Sequence, residues 1–296
     1  MNYYFRKIVG LLCVLTLLIS PAISIPSFAV DNEPEDIVIS EYEYITSIRA
    51  MSEEEIATTN LTDAEVQMIR SDAIEQEILS RKEKPDSELM ARYGYTQEEI
   101  AILRAYSGEN LEDNVELAAI TGTLTITYPT VLTATTSRIG IQVIWVWDHC
   151  PVVCSIDVFA IYWDPTFGSS SGNMRISISD SSHVVKYNLH NTYFNHDWDI
   201  TQVSPNSAAK SVFDMHDVSG EAWAERGTLN LYFDATAGSA ALTEMDFIFA
   251  YGHTILSLSP SVSFPASGGI SFGWTTDEAD RRSGYINVSR KDWNDN

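Results

Sequence analysis

From about residue 117 onward the chain consists of short β-type runs with no helical segment between any two of them. That pattern restricts the fold more than any other feature. Neighbouring parallel strands need crossover connections of a dozen or more residues, usually helical, so a parallel sheet is excluded. Candidate strands fall at 121–128, 138–147, 156–163, 174–178, 184–189, 210–215, 228–233, 245–251, 261–264, 270–274 and 285–288. The run 138–147 alternates cleanly, with Ile139, Ile141, Val143, Trp145 and Trp147 on one face. Strands of this number and length describe an antiparallel sandwich, jelly roll or closed barrel. The 180 residues of 117–296 are ample for one core.

Residues 30–116 have a different texture. Ser52-Glu53-Glu54-Glu55, Thr62-Asp63-Ala64-Glu65 and Thr96-Gln97-Glu98-Glu99 each carry the S/T-x-x-E start signature of a helix. In that signature the hydroxyl accepts from the N3 amide and the Glu reaches back to the cap. Val66, Ile69, Ala73 and Ile78, then Ile100 and Leu103, mark buried stripes, and Gly94 and Gly108 sit where C′ glycines end helices. The expectation is a small acidic bundle of four or five short helices. The 34-residue offset between Thr62 and Thr96 is the length of a tetratricopeptide unit, but two copies without that family's Trp/Leu/Gly pattern do not make a solenoid.

The first residues read as an export signal. Arg6 and Lys7 form a positive n-region, residues 8–19 an apolar run, and Ser27-Phe28-Ala29 a small-residue cleavage site. The apolar run is too short to span a bilayer, which takes about 20 residues. Fold class and organisation are therefore expected to be α+β in two parts. A signal peptide at 1–29 precedes an acidic helical region at 30–116, a pro-region or spacer. An antiparallel all-β sandwich or jelly-roll-like domain follows at 117–296, and no transmembrane segment is expected in the mature chain.

Charge excludes one class of partner. The chain carries 18 basic against 41 acidic residues, a net charge of −23. Of these, 23 acidic and 7 basic residues lie in 30–116. Phosphate binding needs Lys and Arg to displace counterions, so no nucleic-acid partner is expected. The phrase Gly94-Tyr95-Thr96-Gln97-Glu98-Glu99-Ile100-Ala101 is similar to the turn and second helix of bacterial helix-turn-helix regulators. An exported acidic segment cannot use it on DNA.

Cys150 and Cys154 lie between two long strands. In a straight strand they would stand about 13 Å apart, beyond the roughly 7 Å a disulfide tolerates. At a hairpin tip turned by Pro151 they can meet, and export favours the bond. A loop that short gains about 2 kcal/mol in the entropic account. The alternatives are free thiols, or a metal held with His149 and a fourth ligand that the sequence does not identify.

Little else carries chemistry. Gly168-Ser169-Ser170-Ser171-Gly172 matches G-x-S-x-G in letters but lacks the helix that exposes a nucleophilic Ser, and reads as a turn. His190, His196, Asp197 and Asp199 form the densest set of acid/base or ligand groups, in what reads as a long loop with Trp198 packing beneath. Asp214 and His216 are a weaker pair, sharing one strand face while Phe213 and Met215 point inward. The tail Asp292-Trp293-Asn294-Asp295-Asn296 begins like a calcium loop but ends before the Gly and Glu such a loop needs. No metal and no cofactor is assigned. Tyr193, Trp198 and Trp293, near loops, could stack on sugar faces, although large aromatics are mainly core builders.

Two passages carry a resemblance: Tyr93-Gly94-Tyr95-Thr96-Gln97-Glu98-Glu99-Ile100, and Tyr251-Gly252-His253 through Pro260-Ser261-Val262-Ser263-Phe264 to Gly273-Trp274. In these the layout resembles uncharacterised exported proteins of Gram-positive bacteria. The resemblance implies an extracellular location and this gross architecture, and no activity. The functional expectation is a secreted binding protein for glycan or cell-surface material. The alternatives are the pro-form of a membrane-active toxin, with amphipathic strands behind a removable acidic segment, and a hydrolase using the 190–199 loop.

Overall fold

The structure, a computed structural model, describes residues 36–57, 63–127, 129–152, 156–167, 176–204, 207–217, 220–235, 241–253, 261–263, 271–273 and 281–289. The signal-peptide residues, Thr62, Cys154, Gly168-Ser169-Ser170-Ser171-Gly172 and Trp293 lie outside them.

Among the described residues the first elements are strand β1 (Ile37–Ser40) and six helices, α1 (Glu41–Ala50), α2 (Glu53–Ile56), α3 (Asp63–Arg70), α4 (Ala73–Lys82), α5 (Asp86–Tyr93) and α6 (Gln97–Ala105). The helix starts follow from the sequence. Ser52 and Thr96 each accept from the backbone of the Glu three residues on, and that Glu returns to the cap amide. Gly94 ends α5 in the left-handed conformation, φ 80°. Gly108 is also left-handed, but α6 ends at a Tyr106 cap in extended conformation. Two 3₁₀ turns, Leu111–Asp113 and Val115–Ala119, lead into the strands.

The strands that follow are β2 (Thr123–Ile126), β3 (Thr130–Ala134), β4 (Arg138–Trp147), β5 (Ile156–Phe167), β6 (Ile176–Leu189), β7 (Thr192–Trp198), β8 (Ile200–Ser204) and β9 (Ala208–Asp214). The series ends with β10 (Trp223–Ala235), β11 (Leu242–His253), β12 (Ser261–Ser263), β13 (Ser271–Gly273) and β14 (Arg281–Ser289). One sheet runs β1-β2-β4-β10-β6-β7 with β3 also on β4, the other runs β14-β11-β5-β9-β8, and β12 and β13 form a small ladder. All their pairings are antiparallel. The fold is thus α+β, a helical N-terminal part followed by an antiparallel β-sandwich.

The two sheets face each other through rings. Trp145 of one sheet stacks on Phe213 of the other at 5.0 Å, and Trp163 meets Phe233 edge-on at 4.9 Å. Gly227, beside Trp145 on β10, has no room for a side chain: a Cβ there would lie 2.1 Å from the indole. The helices contribute to the same core, in which Ile45, Ile69, Ile78, Leu89 and Leu103 join Trp145, Trp163 and Phe233.

The structure differs from the sequence reading in several elements. The two expected strands at 174–178 and 184–189 are one, β6, and β1 sits inside the segment read as helical, paired with β2. The segment 190–199, read as a loop, contains strand β7.

Candidate functional site

The densest set of sequence candidates lies on the β6–β7 hairpin. His190 and Asn191 form its two-residue turn, both left-handed at φ 50° and 60°, as a type I′ turn requires. The Asn188 side chain accepts from the Asn191 amide at 3.0 Å and holds that turn. From there β7 pairs with β6 in unbroken register from Leu189–Thr192 to His183–Trp198. Successive side chains alternate faces. Phe194, His196 and Trp198 lie on the same side as the buried Tyr187, Val185 and His183, whereas Tyr193, Asn195 and Asp197 lie on the outer side.

β7 is solvent-facing along almost its whole length, with Tyr193 46% and Phe194 37% exposed and only Trp198 half-buried. Its rings are nevertheless held. Phe194 stacks parallel on Tyr187 at 5.4 Å, and His196 tilts over Trp198 at 4.8 Å. On the outer side the Lys186 ammonium sits 3.5 Å from the centre of the Tyr193 ring. Lys186 also pairs with Glu225 at 3.6 Å, and Glu225 accepts from Asn188 at 2.8 Å. Desolvation, helped by the Glu225 charge, raises the Tyr193 phenol above its ordinary pKa, so it stays a neutral donor.

The candidate acid/base set does not converge. His190 is in the turn, Asp199 lies beyond the far end of β7, and a strand of that length spans about 23 Å. His196 and Asp197, adjacent on the strand, point to opposite faces. Among the described residues no three His, Cys, Asp or Glu side chains are placed to hold a metal ion. Asp214 ends β9 and its carbonyl accepts from the Tyr187 hydroxyl, while His216 bridges to Trp223 outside the strand. Phe213 and Met215 are buried, as their alternation requires.

Three buried polar groups escaped the sequence reading, because their members are far apart in the chain. His183 Nδ1 lies 2.8 Å from Ser211 Oγ, a distance a nucleophile and its base could have. The Trp145 indole N–H, however, donates to His183 Nε2 at 3.2 Å, so the imidazole proton is on Nδ1 and donates to Ser211. Burial pushes the His183 pKa down to about 3. The imidazole is therefore a neutral core group and cannot take the Ser211 proton through Nδ1. The second group gathers at one end of the sandwich. The fully buried Asp157 accepts from His253 Nδ1 at 2.8 Å and from the Tyr251 hydroxyl, which in turn accepts from Trp147 Nε1 at 3.2 Å. A buried carboxylate survives only with such donors.

The third group binds the helices to the loop after β4. Glu41, at the start of α1, accepts from the Gly122 amide at 3.0 Å and the Val152 amide at 2.9 Å. Arg81 of α4 donates to the carbonyl oxygens of Cys150, Pro151 and Val152 and to the Tyr95 hydroxyl, with Glu77 at its Nε. Cys150 itself is buried, and its amide donates to the Tyr93 carbonyl at 2.9 Å. No disulfide is formed among the described residues, and the expected partner Cys154 is outside them.

No helix among the described residues is long and apolar enough to cross a membrane. No family model matches the chain, and no curated protein matches it. Among solved structures it overlaps the collagen-binding subdomain of the Enterococcus faecalis surface protein ACE at 8% identity, covering 55% of this chain and 94% of that one, TM-score 0.28. The collagen-binding domain of a Staphylococcus aureus adhesin overlaps at 10% identity, 55% of this chain and 95% of that one, TM-score 0.26. Clostridium perfringens delta-toxin overlaps at 6% identity, 57% of this chain and 79% of that one, TM-score 0.22. At such identities and scores these overlaps carry no inference about ligand or activity.

Proposed function

We propose that this is an exported binding protein whose β-sandwich recognises extracellular surface material, with glycan as the ligand class. The observation that carries the reading is the aromatic hairpin edge. Tyr193 is exposed on the outer face yet fixed by Lys186, so a ligand would meet a ring that is already ordered. A preordered ring loses little entropy on binding, and an apolar sugar face stacks on Tyr193 while Asn195 and Glu225, on the same outer side, offer polar partners beside it. Export rests on the n-region, apolar run and cleavage site of residues 6–29.

The test is retention of the secreted chain on purified cell-wall material and a panel of insoluble polysaccharides. Retention that is lost in Tyr193→Ala supports the reading. No retention on any matrix overturns it.

A further inference from the structure

We propose that the open edge of β7 pairs with the same strand of a second copy of this chain, making a two-fold dimer through a continuous sheet. The two-residue turn makes Leu189–Thr192 a hydrogen-bonded pair, so by alternation Phe194, His196 and Trp198 also bond to β6. The amide and carbonyl groups of Tyr193, Asn195 and Asp197 therefore point away from β6. Among the described residues β7 is the last strand of its sheet.

Edges are normally blunted by Pro, Lys, bulges or shortness. The edge strand β8 carries a register shift between Gln202 and Ser204, and β1 is only four residues long. β7 has seven residues, no Pro, no Lys and no break in register. The other long edge, β14, carries Arg281, Arg282 and Gly284, whereas β7 carries no Lys, Arg or Gly.

The sequence of β7 is complementary to itself when antiparallel. A two-fold axis through Asn195 sets Tyr193 opposite Asp197 of the second copy, Phe194 opposite His196 and Thr192 opposite Trp198. No like charges meet. Because the Lys186 ammonium lies on Tyr193, Asp197 of the second copy arrives beside a cation. About six backbone hydrogen bonds close the seam. The net charge of −23 opposes association, and salt screens it over a Debye length of about 8 Å at physiological strength, so pairing strengthens with salt. The pairing uses the backbone edge and borders the proposed ligand surface at Tyr193, and sedimentation reads it with no ligand present.

Sedimentation equilibrium of the secreted chain at low and high salt tests this. A monomer–dimer equilibrium that tightens with salt and is lost in Asn195→Pro is the expected result, since the Asn195 amide makes no bond to β6. Asn195→Lys and Asn195→Asp are each expected to weaken dimerisation by about fivefold, because like charges then meet on the axis, and their equimolar mixture to restore it. The mixing experiment decides the matter if the Pro variant fails to fold. A monomer at every concentration and salt, or a dimer indifferent to Asn195→Pro and to mixing, overturns the proposal, whatever the outcome of the wall-retention test.

Discussion

Arg81, on α4, holds a guanidinium nitrogen 2.6 Å from the carbonyl oxygen of Pro151, 70 residues further along the chain. The same side chain, 3% exposed, reaches the Cys150 and Val152 carbonyls and lies over the Tyr93 ring at 4.6 Å. The acidic helices and the sandwich are thus joined by a buried, fully occupied cation.

Removing that cation leaves carbonyl groups buried without donors. Arg81→Ala is expected to destabilise the chain by about 3 kcal/mol, and Arg81→Lys to recover little of it. Lysine lacks the planar fork that spans three successive carbonyls. Urea unfolding of the three proteins measures both effects.

His149 adds a pH dependence beside this clasp. Burial lowers its pKa, but the hydrogen bond and charge of Asp148, 3.0 Å away, outweigh burial and leave it raised. A raised folded-state pKa stabilises fully below the unfolded value of about 6.5, and that stability is lost as pH rises through the folded pKa. Unfolding free energy should therefore fall as pH rises above about 6.5, and His149→Gln should remove that part of the slope. An identical slope in the variant would assign it to another group.

His183 acts in the opposite sense. Its folded pKa of about 3 lies below the unfolded value, so its stability is present above about pH 6.5 and lost as pH falls. The difference between wild type and His183→Phe should change by about 1.4 kcal/mol per pH unit between pH 6 and 4. Paired denaturation curves across that range give the slope.

Gly227 tests the packing of the sheet on Trp145. Any Cβ at this position meets the indole, whose own N–H is committed to His183. Gly227→Ala is expected to cost about 1–3 kcal/mol and to change the near-ultraviolet signal of the core tryptophans. An unchanged thermal midpoint would contradict this packing.

What the sequence disclosed follows from burial. β4 was legible from end to end because one face packs on the core, so apolar residues recur at every second position. The capping boxes at Ser52 and Thr96 were legible because they are local. β7 was not, since a strand exposed on both faces needs no apolar alternation, and its Asn and Asp residues imitate a loop. The pairing of β1 with β2, the reach of Arg81 to Pro151 and the His183–Ser211 bond depend on contacts between distant segments, for which local patterns carry no signal. Tyr193 and Trp198 were singled out for their chemistry, and the structure adds that Lys186 and His196 hold them in place.

The proposed ligand surface is the outer face of the hairpin edge at Tyr193. The most direct measurement compares equilibrium binding of the wild-type chain to a retained wall fraction with that of Tyr193→Ala and Arg138→Ala. Arg138 lies over Tyr232 at the far end of the β4–β10 pair and serves as the control. At least a tenfold loss of affinity is predicted for Tyr193→Ala, about 1.4 kcal/mol or more, with its unfolding midpoint retained and the control unchanged. Equal affinities for all three proteins would contradict this reading.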